Sequence, residues 1–341
     1  MNDYPFVTAM IVVRNEERYI GRCLRSLLEQ SYPKNCYEVL VIDGHSTDRT
    51  LEIAQKTVSG FSNGAPVRFL ENPKLLLAAG WNLGIQQARG EYVIRIDAHG
   101  YAGENFIQYS VDTMLNVKDA VCVGGAMKTE AISEKGQIVA DVLSSPFGVG
   151  NAKFRYSQKA EYVDTVAFGL YRKDIFDKVG FFDETLRRNQ DNDMHRRIRE
   201  AGGKFYLNPS IESVYYCRDS IRGMFKQGYA NGKWNMITFY KDRASLSVRH
   251  LMPFLFVCGI LGSTILGIFW HIFWWILAGV LLLYLFLGFY FASQKTHKLS
   301  HTLVMPLCFL GLHISYGMGS LLSILSLPFY IYKERQHEKS V

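Results

Sequence analysis

The stretch "EYVIRIDAHG", residues 91–100, decides the fold. Its apolar run Tyr92-Val93-Ile94 continues through Arg95-Ile96 and stops at Asp97-Ala98-His99-Gly100. That is the pattern of a buried strand with two potential metal ligands at its end. Similar strands precede it. Phe6 to Val13 is apolar and β-branched and runs into Arg14-Asn15-Glu16, Val39 to Ile42 ends at Asp43-Gly44, and Val67 to Leu70 makes a third. Helical patterns separate them. Leu24, Leu27 and Leu28 form one core-facing stripe, with Asn15 expected to cap that helix and Glu16 and Glu17 suited to its dipole. Thr47 or Asp48 is expected to cap the next helix, and Leu75 to Ala88 reads as another. Repeated βα units with short loops predict an α/β fold, a mostly parallel sheet flanked by helices. Ligands of such sheets bind beyond the carboxyl ends of the strands. Arg14-Asn15-Glu16, Asp43 and Asp97-Ala98-His99 should therefore share one rim. There is no GxGxxG and no GxxxxGK[ST], so a dinucleotide fingerprint and a P-loop lose their main support.

In an extended segment residues i and i+2 share a side. Asp97 and His99 would then reach one divalent ion, although a plain strand-end cap has the same pattern. Metal at such a site neutralises a diphosphate leaving group, and an imidazole ligand leans toward Mn2+ over Mg2+. Asp43 suits hydrogen bonds from a base or ribose, or simply a turn. The segment "LRRNQDNDMHRRIREAGGKFYLNP", residues 186–209, begins a helix with an acidic turn. Asp191 and Asp193 fit two roles equally: helix capping with i,i+4 pairing to the following arginines, or removal of a proton from a sugar hydroxyl.

The net charge of +7 suits anionic lipid or phosphate ligands; the reading assigns no nucleic-acid partner. Six cysteines without a CxxC pair indicate neither a zinc site nor a disulfide framework, and a reducing, cytoplasmic setting follows. Residues 251–292 contain no Asp, Glu, Lys or Arg across 42 positions, and 302–332 none across 31. A bilayer core takes about 20 apolar residues per helix. The expectation is three hydrophobic segments, 251–269, 273–292 and 303–329. The first two would be joined by a turn near Trp270-His271-Ile272, and Pro306 and Pro328 leave the third open between a full crossing and a re-entrant loop. Lys295 and Lys298 suit the cytoplasmic side; a third crossing would carry Lys333, Arg335 and Lys339 outside. Small residues four apart, Gly259-Ser263-Gly267 and Gly311-Ser315-Gly319-Ser323, predict that the first and third segments pack together along these stripes, with the second more lipid-exposed. No secretory signal is expected at "MNDYPFVTAMIVV". Between Arg218 and Arg249, seven basic and two acidic residues interleave with aromatics, as in segments that lie on headgroups. The expected organisation is a catalytic domain over 1–217, basic aromatic interfacial helices over 218–249, a membrane region over 250–333 and a polar tail over 334–341.

Four stretches in order, "VVRNEERYIGRCLRSLLEQSYP" (12–33), "EVLVIDGHSTDRT" (38–50), "NLGIQQARGEYVIRIDAH" (82–99) and "RRNQDNDMHRRIREAGGKFYLNP" (187–209), resemble the motifs of inverting family-2 glycosyltransferases of the GT-A fold. The RNEE start, the Asp-Ala-His ending and the C-terminal apolar segments look most like the succinoglycan type, which extends lipid-linked sugars in exopolysaccharide assembly. The resemblance implies that Asp43 contacts the nucleotide base, with Arg14, Asn15, Glu16, Asn82 and Asp97 also binding nucleotide sugar. Asp97-Ala98-His99 falls on the family's D-x-D motif, which holds the metal and the diphosphate. Gln190-Asp191 falls on its Glu-Asp pair, which makes Asp191 the catalytic base. Gln190, with Gln227, Lys233 and Trp234 of a loosely matched Q-x-x-R-W motif, would face the acceptor and diphosphate. This sequence has His99 for Asp, Gln190 for Glu and a stretched last motif, which argues against a processive synthase. The implied substrates are a UDP- or GDP-sugar and a polyprenyl-diphosphate-linked saccharide, at the cytoplasmic face of a bacterial inner membrane. Two alternatives stand beside this: a bare polyprenyl phosphate as acceptor, which needs no base, and a lapsed transferase that only binds nucleotide sugar.

Overall fold

The structure, a computed structural model, describes residues 4–150, 152–241, 243 and 248–338. Residues 242 and 244–247 of the basic stretch, and 339–341 of the tail with Lys339, lie outside the described residues. In chain order the elements are β1 (Val7–Val13), α1 (Ile20–Leu28), β2 (Tyr37–Asp43), α2 (Thr50–Ser59), β3 (Val67–Glu71), α3 (Leu77–Gln87), β4 (Tyr92–Asp97), β5 (Gly100–Ala102), α4 (Phe106–Asn116), β6 (Ala120–Gly124), β7 (Met127–Glu130), α5 (Glu134–Leu143) and α6 (Pro146–Val149). They continue with β8 (Glu161–Val163), β9 (Leu170–Arg172), α7 (Ile175–Val179), α8 (Gln190–Glu200), β10 (Lys204–Leu207), β11 (Ser213–Tyr216), α9 (Ile221–Lys241), α10 (Val248–Phe269), α11 (Ile272–Lys295) and α12 (Leu299–Glu338). They divide into two units, Met1–Glu130 with Ala152–Tyr216, and Ala131–Asn151 with Cys217–Val341.

The first unit is the α/β fold that the strand pattern predicts. Its eight-stranded sheet has the order β3-β2-β1-β4-β9-β6-β10-β8, with β9 and β8 antiparallel to their neighbours and the remaining pairs parallel. A three-stranded sheet, β5-β11-β7, accompanies it. Successive strand residues point to opposite faces, and both faces are apolar. Ile11, Val41, Ile94 and Ile96 pack with Leu24 and Leu27 of α1 and Phe106 of α4. Met10, Leu40 and Val93 pack with Trp81 and Ile85 of α3 and Met194 and Ile198 of α8. The register carries function: Val13 pairs with Asp43, and Val12 with Asp97. The ends of β1, β2 and β4 are thus level on one rim. At the opposite end the buried Glu38 is satisfied by Thr8 Oγ1, the Arg68 guanidinium and the Arg89 backbone N–H, a structural charge network remote from the rim.

Asn15 does not cap α1. It has φ 55°, and its side chain accepts from the Thr47 backbone N–H at 2.8 Å while its own N–H donates to Ser46 Oγ at 3.0 Å. It ties the loop after β1 to the loop after β2, because the chain runs through an irregular turn before α1 begins at Ile20. Asp48 does serve the start of α2, accepting from the Thr50 N–H at 2.9 Å.

In the second unit three helices are long and apolar enough to cross a membrane: His250–Phe269, Ile272–Lys295 and Leu299–Tyr332. α12 is one continuous helix through Pro306 and Pro328. Pro306 is accommodated because it faces Gly288 of α11, which offers no side chain. The first and third segments do meet, with Gly317 against Pro253 and Val257, but the expected pairing of their small-residue stripes is overturned. Among the described residues a Cβ at Gly259 would meet nothing within 4 Å, and Gly267 makes room for the Trp274 ring at the α10–α11 turn. The α12 stripe takes α9 instead: Gly311 faces Phe225, and Gly319 faces the Tyr229 carbonyl. Ser320 and Ser323 donate to the carbonyls of Gly232 and Lys233 at 3.2 and 3.0 Å. Small residues permit close backbone approach without naming the partner. An added methyl at Gly232 would overlap the Tyr316 carbonyl oxygen. Gly232→Ala is therefore expected to cost about 1–3 kcal/mol of overpacking and to lower the melting temperature in detergent. Gly259→Ala should leave it unchanged, and equal effects of the two would refute this packing.

Candidate functional site

The site starts from Arg95. It shares strand parity with Val93 and Asp97, so it points to the face covered by α3 and α8. Its side chain is only 8% exposed, and its guanidinium lies 5.3 Å from the Trp81 ring centroid and 5.6 Å from that of Phe182. A buried charge requires a partner, and Arg95 has Asp191, in the first turn of α8. The guanidinium donates to both carboxylate oxygens, Nη1 to Oδ1 and Nη2 to Oδ2, the latter at 2.7 Å. Asp191 is itself 43% exposed, so a buried arginine holds from beneath a carboxylate that remains reachable. Burial alone would raise the carboxyl pKa, but the Arg95 charge and hydrogen bonds outweigh it and hold it below the ordinary carboxylate value. Burial likewise works against the Arg95 charge, which the Asp191 carboxylate more than restores.

Around this pair the polar groups are arranged for shape. His195, one turn along α8, is pushed down to about 3 by burial and stays neutral. Its ring nitrogens meet Thr165 Oγ1 at 2.7 Å and Tyr171 Oη at 2.6 Å. Asp193 is committed to Arg196 and Arg197 at 3.3 and 2.9 Å, which is the helix-pairing role. Gln190 is 5% exposed and its Oε1 has no hydrogen-bond partner, nor does Arg95 Nε. Asn82 is engaged with the segment before α8: it donates to the Phe182 carbonyl at 2.9 Å and Glu184 at 3.0 Å, and accepts from the Phe182 N–H at 2.8 Å.

At the rim, Asp43 accepts from Ser46 N–H at 3.0 Å and Oγ at 2.6 Å, and Arg14 is exposed. β4 ends at Asp97 and the chain turns at Ala98-His99, so the alternation of an extended strand does not extend to His99. The His99 ring lies against Tyr19 and Tyr215, with Nδ1 3.4 Å from Glu16 Oε1. Glu16 and Asp97 both lie close to Cys23: its thiol, raised mainly by burial, is raised further by these two carboxylates, and its Sγ is 3.5 Å from the Asp97 carbonyl. His99 and Glu16 thus meet at the rim, just past the end of the strand that carries Asp97. Among the described residues no three His, Cys, Asp or Glu side chains form a metal-holding group on their own. Gln227, Lys233 and Trp234 lie on α9, in the second unit, with Lys233 exposed.

Arg95, Tyr171 and His195 carry this geometry, and motif reading did not single them out. The available signal was a charged residue at an inward position of an otherwise apolar strand.

Residues 8–180, about half of the chain, match the family described as Glycosyl transferase family 2. A glucuronosyltransferase of Methanococcus voltae, named for a dolichyl N-acetyl-α-D-glucosaminyl phosphate acceptor, is 31% identical over 77% of this chain and 82% of its own. The succinoglycan biosynthesis protein ExoA of Rhizobium meliloti is 30% identical over 70% and 72%. In fold, the chain is similar to a mannosyltransferase from Pyrobaculum calidifontis solved with GDP-Man and Mn2+, with a TM-score of 0.60 at 14% identity over 92% of this chain and 88% of that one. The strand order, the rim and these likenesses agree: the chain is a glycosyltransferase and belongs to glycosyl transferase family 2.

Proposed function

We propose that this glycosyltransferase moves a sugar from a UDP- or GDP-sugar to a lipid-linked saccharide, with inversion, at the cytoplasmic face of the membrane that α10 and α11 enter. The observation that carries the reading is the Arg95–Asp191 pair, because it fixes a reachable carboxylate by the same strand that ends at Asp97. The acceptor class is supported by the Methanococcus voltae and Rhizobium meliloti relatives. Asp43, Arg14, Asn15 and Glu16 take the nucleotide end. Asn82 acts indirectly, by fixing the 182–184 segment that leads into α8. Asp191 accepts the proton of an acceptor hydroxyl. That oxygen bonds to the anomeric carbon as the bond to the phosphate oxygen breaks, and the electron pair leaves with the nucleoside diphosphate. One displacement with one base inverts the configuration. Gln190, beside Asp191 at the start of α8, faces the acceptor hydroxyl.

Asp97 and His99, with Glu16 beside His99, are the residues that would hold a divalent ion, which would supply positive charge against the departing diphosphate. The imidazole favours Mn2+ over Mg2+. Chelation with EDTA is expected to stop transfer, Mn2+ to restore it better than Mg2+, and His99→Asp to narrow that preference; full activity in chelator would remove the metal role. A thermal-shift screen of nucleotide sugars with Mn2+ tests the donor. A ligand held at 100 times its Kd stabilises by about 2.7 kcal/mol. No shift with any nucleotide sugar would contradict the donor assignment.

A further inference from the structure

α12 crosses the α10–α11 hairpin instead of running beside it. The hairpin sets its own scale. At its turn the Trp274 ring covers Gly267, and the Phe256 and Tyr284 rings stack at 5.0 Å. Taking the turn at the Gly267–Trp274 contact and about 1.5 Å per residue, Phe256, Val257 and Tyr284 lie ~15–17 Å from it, and Pro253 and Gly288 ~21 Å. α12 touches the hairpin at three levels. Pro306 meets Gly288, His313 Nδ1 lies 2.6 Å from Tyr284 Oη, and Gly317 lies against Pro253 and Val257. From Pro306 to Gly317 the helix advances ~16 Å, yet its contacts remain ~15–21 Å from the turn. A helix parallel to the hairpin would have carried Gly317 to within ~5 Å of the turn by the same rise. The glycines on that part of the hairpin, Gly259, Gly262 and Gly279, have nothing within 4 Å.

Three further observations agree. The apolar stretch Leu299–Tyr332 is 34 residues, or ~51 Å of helix, against a ~30 Å bilayer core. Between Ser323 and Lys333, large apolar side chains of α12 are exposed: Leu325 by 69% and Tyr332 by 62%. The face at Gly311–Ser323 is covered by α9, whose Lys226 and Lys233 are exposed, and lysines are costly at the bilayer centre.

We infer that α12 is not a third crossing but a helix lying within the leaflet nearer the His250 and Lys295 ends of the hairpin, with its exposed Ile324, Leu325 and Tyr332 against the acyl chains of that leaflet. α10 and α11 then cross alone. The chain's last residues, with Lys333 and Arg335, return to the side of Lys295 and Lys298, where the basic residues together satisfy the positive-inside rule. The proposed function enters only in naming that side the cytoplasm.

Single cysteines at Glu29→Cys, His271→Cys and Gln336→Cys, with Glu338→Cys as a second tail position, are to be labelled with a membrane-impermeant maleimide in intact and in permeabilised cells. His271→Cys is expected to label in intact cells, and the other three only after permeabilisation. Labelling of Gln336→Cys and Glu338→Cys in intact cells together with His271→Cys would overturn the inference. If instead Glu29→Cys and the tail positions label from outside and His271→Cys does not, the arrangement of α12 stands and the cytoplasmic reading falls.

Discussion

Asp191→Asn is expected to lower sugar transfer by about 10²–10⁴-fold, the usual contribution of a positioned base, with nucleotide-sugar affinity nearly unchanged. The amide keeps the shape of the carboxylate and cannot take the acceptor proton. A second loss accompanies the first. Arg95, 8% exposed, would be left as a buried charge without its counter-ion, and removing one partner of such a pair costs up to about 3–5 kcal/mol. The double variant Asp191→Asn/Arg95→Met separates the two effects, since it should regain much of the stability and none of the activity. Asp193→Asn should retain transfer, because Asp193 already serves Arg196 and Arg197. If Asp193→Asn is the lethal change and Asp191→Asn the mild one, the wrong carboxylate has been assigned.

Arg95→Met alone should act on the pH profile. In the wild type Arg95 holds the Asp191 carboxyl below its ordinary value, against the opposing effect of burial. The acid limb of the rate profile should therefore lie below about pH 4, the ordinary range of an aspartate. Without the guanidinium the opposition of burial is left alone, and the limb should move upward. Stability follows the same direction. A depressed carboxyl contributes stability that is present above its unfolded-state pKa and is lost as pH falls through the lower folded value, and Arg95→Met removes that contribution. Loss of rate at every pH with an unmoved acid limb would mean that Arg95 is structural and does not tune the base.

The strands, their parallel pairing and the shared rim are legible in the sequence because each depends on local pattern: an apolar run, its length and the polar residues at its end. The same local logic draws attention to Asp97 and leaves Asp191 and Asp193 equal, and the family resemblance is what separates them. It does not connect Arg95 with Asp191, because 96 residues separate them and only the packing of α8 on the sheet brings them together. It also assigns Asn15 to the nearest helix, whereas the nearest loop in space takes it, and it carries the strand's alternation on to His99, although the chain has already turned. The small-residue stripe on α12 was visible, and its partner was not, because glycine and serine signal close approach from any direction. Asn82 sits within a recognisable motif, yet its amide is bonded on both sides to the segment before α8, a contact 100 residues away.

The most direct measurement is the anomeric configuration of the product formed by the purified full-length protein in nanodiscs. The assay supplies radiolabelled UDP- and GDP-sugars, Mn2+ and a polyprenyl-diphosphate-linked saccharide. The account predicts label in the lipid extract, on a sugar whose configuration is inverted relative to the donor. A product of retained configuration, or label that never leaves the nucleotide sugar, would contradict it.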